Sequence, residues 1–225
     1  MQPELHVSKE PERAVARLLA DQATRGGSIV LTGGSTPGKA YELAAEYQPD
    51  WGLVRLWWGD ERCVPPDDER SNYRLAAETL LAHLETPPAE THRIRGEIAP
   101  AEAAAELDAE LAGVELDLLL LGLGPDGHIA SLFPGSPQLH VTDRRATNGP
   151  AGLEPWVDRV TMTLPTLQAA QRIVFLVTGE GKADAAGAAF AGPVMEDVPA
   201  SLTLLSPNPV EVFLDEAAGS KLSPS

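Results

Sequence analysis

Leu116-Asp117-Leu118-Leu119-Leu120-Leu121-Gly122-Leu123-Gly124-Pro125-Asp126-Gly127-His128 is the stretch on which the reading of this chain turns. An apolar run of strand length stops abruptly at glycines, and a titratable pair, Asp126 and His128, follows. A short apolar run bounded by Gly and Pro reads as a fully buried strand of a parallel sheet. Ligands of open α/β sheets gather outside the carboxyl ends of such strands, so His128 stands where a sheet of this kind does its chemistry.

The same pattern recurs on either side. Ser28-Ile29-Val30-Leu31 is a compact buried strand that runs into Thr32-Gly33-Gly34-Ser35-Thr36-Pro37-Gly38. A helix follows, with Thr36 as N-cap, Pro37 at its first position and Ala40, Leu43 and Ala44 on its inner face. Residues 53–58 form a strand ending at Gly59-Asp60-Glu61-Arg62, and Ser71 caps a helix that begins with Asn72 and Tyr73. Residues 172–177 form a strand that leads through Thr178-Gly179-Glu180-Gly181-Lys182 into a helix over 183–190.

The remaining segments fit this rhythm. They predict a short edge strand over 5–7, a helix from Ser8 to Thr24, a strand over 93–97 and a helix over 100–111. Further strands are expected over 140–142 and 159–164, a helical turn over 165–170, a strand over 210–215 closing the sheet, and a frayed tail from Ala217. Strands alternating with helices argue for a mainly parallel sheet covered on both faces, in one domain spanning 1–225. The loops after Leu31, Trp58, Leu121 and Val177 should then open on one edge of that sheet and share a cleft.

Composition bounds what such a cleft could serve. The 225 residues carry a formal net charge of -16, which opposes binding to nucleic acid or to an anionic membrane surface, since both need a basic face. The apolar cluster around Leu116 falls short of the roughly 18 residues of a membrane span, and the first residues show no secretory pattern. The single cysteine, Cys63, cannot form an internal disulfide and reads as a buried or incidental thiol, so the cytoplasm is the expected compartment. Lysine is confined to Lys9, Lys39, Lys182 and Lys221, which makes any cation near the cleft informative. A small-molecule substrate, and a monomer or weak homo-oligomer, are the expected partners.

Each loop has a chemical reading and a bland one. The Gly33-Gly34 turn at a helix start can hold an anion on backbone N–H groups, with Ser35 as a further donor, or can be an ordinary tight turn. It is neither a Walker loop nor a G-x-G-x-x-G fingerprint, so it does not point to a nucleotide. Asp60-Glu61-Arg62 reads first as a solvated salt-bridge cluster, since strand-end loops are normally polar; Arg62 could instead stabilise an oxyanion. His128 alone could simply satisfy loop backbone groups; with three companion loops beside it, its imidazole becomes a candidate general base. Asp126 could orient that ring or shape the loop as an Asx-turn, and Lys182 could clamp a phosphate. No cluster with metal-ligand spacing occurs, no cofactor is implied, and there is no G-x-S-x-G elbow for an acyl-enzyme.

Four ordered motifs carry a resemblance that no single one would. They are Leu31-Thr32-Gly33-Gly34-Ser35-Thr36-Pro37; Trp58-Gly59-Asp60-Glu61-Arg62 with Ser71-Asn72-Tyr73; Gly122-Leu123-Gly124-Pro125-Asp126-Gly127-His128 with Ser131-Leu132-Phe133-Pro134-Gly135; and Arg159-Val160-Thr161-Met162-Thr163 with Gly179-Glu180-Gly181-Lys182. Together, from about Leu5 to Ala218, the chain resembles the glucosamine-6-phosphate isomerase/6-phosphogluconolactonase family, on its lactonase side. The resemblance implies a Rossmann-like three-layer sandwich with a mainly parallel central sheet, as in glucosamine-6-phosphate deaminase and ribose-5-phosphate isomerase. It also implies hydrolysis of 6-phospho-D-glucono-1,5-lactone. In its terms His128 is the general base, Arg62 a substrate or oxyanion contact with Asp60 beside it, Asn72 a further substrate-binding residue, and Gly33, Gly34, Ser35 and Lys182 phosphate contacts, joined by Arg159.

Two rivals remain at this point. The sister deaminase shares the Gly-x-Asp-Gly-His loop but has Asp-Glu-Tyr where this chain has Asp60-Glu61-Arg62, and Phe-Asn-Glu-Pro where it has Ser131-Leu132-Phe133-Pro134. Ile129, where lactonases often have Thr, leans slightly toward the deaminase. A non-catalytic sugar-phosphate sensor would need a DNA-binding module, and the acidic charge opposes one.

Overall fold

The computed structural model describes residues 2–222. The chain begins with β1 (Glu4–Val7), α1 (Pro11–Arg25), β2 (Gly27–Leu31), α2 (Ser35–Tyr47) and β3 (Val54–Trp58). There follow β4 (Asp60–Arg62), α3 (Asn72–Thr79), β5 (Glu90–His92), α4 (Pro100–Glu110) and β6 (Leu118–Leu121). The last stretch holds β7 (Ala146–Gly149), β8 (Arg159–Met162), α5 (Leu164–Gln168), β9 (Ile173–Val177), α6 (Ala183–Phe190), α7 (Pro199–Leu202) and β10 (Val210–Leu214).

Seven strands form the central sheet in the order β1-β10-β9-β6-β2-β3-β5, and every pairing in it is parallel. This order fixes where a ligand can bind. From β1 the chain steps rightward to β2, β3 and β5; from β6 it steps leftward to β9 and β10. Right-handed crossovers therefore put α1, α2 and α3 on one face and α4 to α7 on the other. Neighbouring strands β2 and β6 send their chains to opposite faces, which opens a crevice between their carboxyl ends. The Gly33-Gly34 turn and the loop carrying His128 leave the sheet there.

All four leucines of β6 are buried, as its apolar run requires for a strand with neighbours on both edges and helices on both faces. The core around it includes Ile29, Val30, Leu31, Trp57, Trp58, Phe175 and Leu176, with Tyr41 and Ala44 from α2 and Leu19 from α1. Asp117, one residue before β6, accepts the Ser28 N–H at 2.7 Å and so ties β6 to the start of β2.

Several elements differ from expectation, each for a local reason. Asp60-Glu61-Arg62 is a strand: β4 pairs antiparallel with β8, and β8 with β7, in a second sheet of three strands. Gly59 joins the two sheets, donating to the Leu31 carbonyl at 3.0 Å and accepting from the Met162 N–H at 2.8 Å. The strand expected over 159–164 is thus β8 of this small sheet. The strand expected over 93–97 lies instead at Glu90–His92, where the His92 ring stacks on Trp57 with centroids 3.8 Å apart. Arg93 turns back to pair with Glu97 at 2.6 Å. At 140–142 Pro137 starts a 3-10 turn over Pro137–His140, and the extended segment follows at Ala146–Gly149. Helix α2 begins at Ser35, with Gly34 as its cap at φ 108, so Thr36 lies inside the first turn. α1 starts at Pro11, three residues after Ser8. β1 closes the sheet outside β10, and Ala218–Lys221 forms a 3-10 turn with Ala218 buried. The last three residues of the predicted tail lie outside the described residues.

The burial of β6 makes Leu120→Ala a direct test of the central strand. Removing this side chain should lower unfolding stability by about 2–5 kcal/mol, read from urea denaturation, because the surrounding core can only partly collapse. A change below about 0.5 kcal/mol would contradict the placement.

Candidate active site

The loops after β2, β3, β6 and β9 line one cleft of about 620 Å³, as the topology requires. Thr32, Gly33 and Gly34 come from the first loop, Asp60 and Arg62 from β4, Gly122 to Pro125 and His128 from the third, and Lys182 from the fourth. Asn72 from α3, Ala130, and Leu153, Glu154 and Trp156 complete the lining.

The glycine turn is held open from behind. Tyr41 is fully buried, accepts the Thr32 N–H at 3.0 Å and donates to the Thr32 carbonyl at 2.7 Å. Burial pushes its phenol well above the ordinary range, so the hydroxyl stays protonated and can do both. With Thr32 satisfied by a side chain, the backbone leaves the sheet and turns at Gly33. A methyl on Gly33 would lie 2.0 Å from Asn72 Oδ1, so the turn and α3 touch without room for a side chain.

β4 orients three charged residues by alternation. Asp60 and Arg62 share the face toward the cleft and Glu61 points away. Asp60 is 6% exposed; its Oδ2 accepts the Ser131 hydroxyl at 2.6 Å and its Oδ1 the Asn72 side-chain amide at 3.1 Å. Glu61 is 2% exposed and receives the N–H groups of Arg62, Asn72 and Tyr73 and the Ser71 hydroxyl, all within 2.9 Å. It sits as an acceptor at the start of α3, while Ser71 caps the helix by accepting the Arg74 N–H. Burial still pushes the Glu61 carboxyl above its ordinary range, against the pull of those donors. The salt-bridge cluster expected from sequence is therefore absent: both carboxylates are buried, and hydrogen bonds replace solvent.

In the third loop Asp126 does both jobs left open by its sequence. Its Oδ1 accepts the His128 N–H at 3.2 Å, shaping the turn, and lies 2.6 Å from His128 Nδ1. With Nδ1–H donated to Asp126, Nε2 carries the lone pair. The ring is seated by Phe133, centroids 4.6 Å apart, and by Gly124, where a methyl would lie 2.0 Å from Nδ1. Gly127 turns the loop at φ 85, and Ala130 follows at φ 46, an uncommon conformation for a residue with a side chain.

Cations converge here without carboxylate partners. Arg62 donates to the Arg70 carbonyl, and the Lys182 ammonium has no ion pair or hydrogen bond among the described residues. Burial pulls the Lys182 ammonium below its ordinary range, opposed by Asp126. Two expected contacts lie elsewhere. Ser35 is exposed and lines a neighbouring groove with Lys9, Lys39 and Thr178, because α2 starts one residue after Gly34 and rotates Ser35 away. Arg159 lies behind the cleft, 4% exposed, with its Nη2 donating to the Pro155 carbonyl at 3.0 Å. Cys63 is half-buried, and burial together with Asp158 and Glu61 pushes its thiol up to about 11, so it is protonated near neutral pH.

Sequence reading missed four contributors. Tyr41 showed only as an interior helix residue, and Ser131 only as part of a motif. Leu153 and Trp156 sat in a Gly/Pro-rich loop; the signal there was two large apolar side chains among turn-forming residues.

Fold and cleft together define a Rossmann-like α/β protein whose switch-point crevice pairs a histidine and a carboxylate with cations that have no carboxylate partner. The family description "Glucosamine-6-phosphate isomerases/6-phosphogluconolactonase" matches residues 5–212. The chain is 36% identical to the 6-phosphogluconolactonase of Mycobacterium tuberculosis, over 96% of this chain and 94% of that one. The 6-phosphogluconolactonase structure from Trypanosoma cruzi superposes with a TM-score of 0.86 at 26% identity, covering 100% of this chain and 99% of that one. A monomeric glucosamine-6-phosphate deaminase gives the same TM-score, 0.86, at 21% identity over 98% of this chain and 100% of that one, a likeness of fold alone. The chain belongs to the glucosamine-6-phosphate isomerase/6-phosphogluconolactonase family.

Gly124→Ala tests the seating of His128. The added methyl should displace the ring from Asp126 while far-UV circular dichroism stays unchanged. The ring 15N shifts of His128 should lose the Nδ1–H tautomer signature; a variant that keeps it would refute the packing described.

Proposed function

We propose that the chain hydrolyses 6-phospho-D-glucono-1,5-lactone to 6-phospho-D-gluconate, the second step of the oxidative pentose phosphate pathway, in the cytoplasm and as one unit of 225 residues. The observation that carries this reading is the His128–Asp126 pair at 2.6 Å in a cleft shared with Arg62 and Lys182, neither of which has a carboxylate partner. The names borne by its relatives agree with it.

The chemistry follows from the geometry. His128 Nε2 takes a proton from water as the oxygen attacks the lactone carbonyl carbon, and Asp126 stabilises the imidazolium that forms. Arg62, with loop N–H groups beside it, offsets charge on the tetrahedral oxyanion. Collapse of that intermediate breaks the bond to the ring oxygen, which leaves with the proton held by His128, and the new carboxylic acid ionises. The phosphate lies against the Gly33-Gly34 turn, on the N-terminal end of α2 and on Lys182. Asp60 and Asn72 hold these groups at their separation. No metal or cofactor enters this scheme.

The deaminase reading finds less support. Between Ile129 and Pro134 there is no carboxylate to assist ring opening, and Ser131 is turned into Asp60. Ile129 is itself buried, so its departure from the lactonase pattern leaves the cleft lining unchanged.

His128→Ala should lose at least about 10²-fold in kcat for lactone opening above the spontaneous rate, with the fold retained. Full activity in that variant would remove His128 from the mechanism, and ammonia release from glucosamine 6-phosphate would favour the deaminase. A second expectation concerns pH. Lys182 binds phosphate only when protonated, and its folded-state pKa is lowered, so affinity is present at lower pH and lost as pH rises through that shifted value. Calorimetric affinity for 6-phosphogluconate should fall below the ordinary lysine range in the native protein and stay level there in Lys182→Arg. Parallel profiles would show that Lys182 does not contact the phosphate.

A further inference from the structure

One wall of the cleft differs in chemistry from the rest. Leu153, Glu154 and Trp156 line it from the loop between β7 and β8. Trp156 is 67% exposed, whereas Trp51, Trp57 and Trp58 are essentially buried. Among the described residues its indole N–H has no hydrogen-bond partner, and the Glu154 carboxylate has neither a hydrogen bond nor an ion pair. A bare carboxylate beside an anion cleft is unsuited to phosphate but suited to accepting hydroxyl protons, and an exposed indole offers an apolar face.

The loop is anchored on both sides of these residues. Arg159 Nη2 donates to the Pro155 carbonyl at 3.0 Å and reaches the Leu153 carbonyl at 3.5 Å. The Cys63 N–H donates to the Asp158 carbonyl at 2.8 Å. Gly152 lies flat on Phe133, where a methyl would meet Cγ at 2.5 Å, and Phe133 is the ring that packs against His128. The clasp is unusual in its cost. Arg159 is 4% exposed, has no carboxylate partner, faces Arg62 across the β4–β8 pair, and keeps its Nε unpartnered. A buried guanidinium in that setting is pulled below its ordinary range, and the groups it satisfies are the loop carbonyls.

We infer that residues 152–156 are the sugar-recognising wall of this cleft: Trp156 covers the C–H face of the phosphorylated lactone ring, Glu154 accepts its hydroxyl protons, and Arg159 is the positioning residue that holds the wall in register with His128. This rests on the lactonase reading. The phosphate turn and Lys182 fix one end of the substrate and His128 the reacting carbonyl. The ring between them, with apolar faces and hydroxyl edges, meets the surface that carries an indole and a free carboxylate.

Because three of the four tryptophans are buried, acrylamide quenching of intrinsic fluorescence reports on Trp156. Saturating 6-phosphogluconate should reduce the quenching of the native protein to the level of Trp156→Phe, in which only buried indoles remain. Trp156→Ala and Glu154→Gln should each raise KM by about tenfold with kcat little changed, the mark of lost binding rather than lost chemistry. Arg159→Lys keeps the charge but not the two-carbonyl fork; it should restore high quenching in the presence of product and raise KM likewise. If calorimetry shows product binding while quenching is unchanged, the wall assignment is wrong and the lactonase reading stands. If 6-phosphogluconate does not bind, both fall. A loss of kcat with unaltered KM in Arg159→Lys would place that residue in the chemistry and overturn its positioning role.

Discussion

The cleft depends on the buried carboxylate of Asp60. Ser131 reaches it from the loop after β6 and Asn72 from the start of α3, so three segments far apart in the chain are tied at one side chain. A hydrogen bond to a charged group contributes about 1.5–3 kcal/mol, and leaving a buried charge short of donors costs at least as much. The arrangement is therefore cooperative: each segment's position satisfies the others' polar groups. Glu61, on the opposite face of the same short strand, does the same for the first turn of α3. Three residues of β4 thus anchor the small sheet, the helix and the cleft, with Arg62 lining the cleft itself.

Electrostatics follow the same division. Most arginines on the surface are paired, as Arg13 with Glu10, Arg74 with Glu78 and Arg172 with Glu211. The cations at the cleft are left without carboxylates in a chain whose net charge is -16. Within a concave site of reduced dielectric such charges focus the field on whatever anion enters, where scattered surface pairs add little. The acidic surface, which has no explanation in the sequence, makes this contrast sharper.

The parts of the molecule legible in its sequence were those governed by long-range regularity. Strand, glycine turn and helix recurred often enough to place four loops at one sheet edge, and the switch point between β2 and β6 gathers them there. What escaped was governed by single contacts. A three-residue strand shows no period, so Asp60-Glu61-Arg62 passed for a polar loop. Ser35 was displaced by the two-residue difference in where α2 starts, since a helix turns about 100° per residue. Arg159 carried no sign that it would face carbonyl groups rather than a ligand. Tyr41 went unread because its hydroxyl partner is the backbone of Thr32, a choice that no spacing encodes.

The order of the central sheet leaves two strands with a free side, β1 and β5. Open edges expose unpaired N–H and carbonyl groups and invite a strand from another molecule. Here both are short, four and three residues. Each also carries charge: Glu4 and His6 lie beside Glu211 on one edge, and His92 is held between Glu90 and Glu110 on the other. A sheet otherwise dominated by Val, Leu, Ile and Phe is thereby closed at its margins by acids, which disfavours edge-to-edge aggregation while the apolar strands stay covered inside.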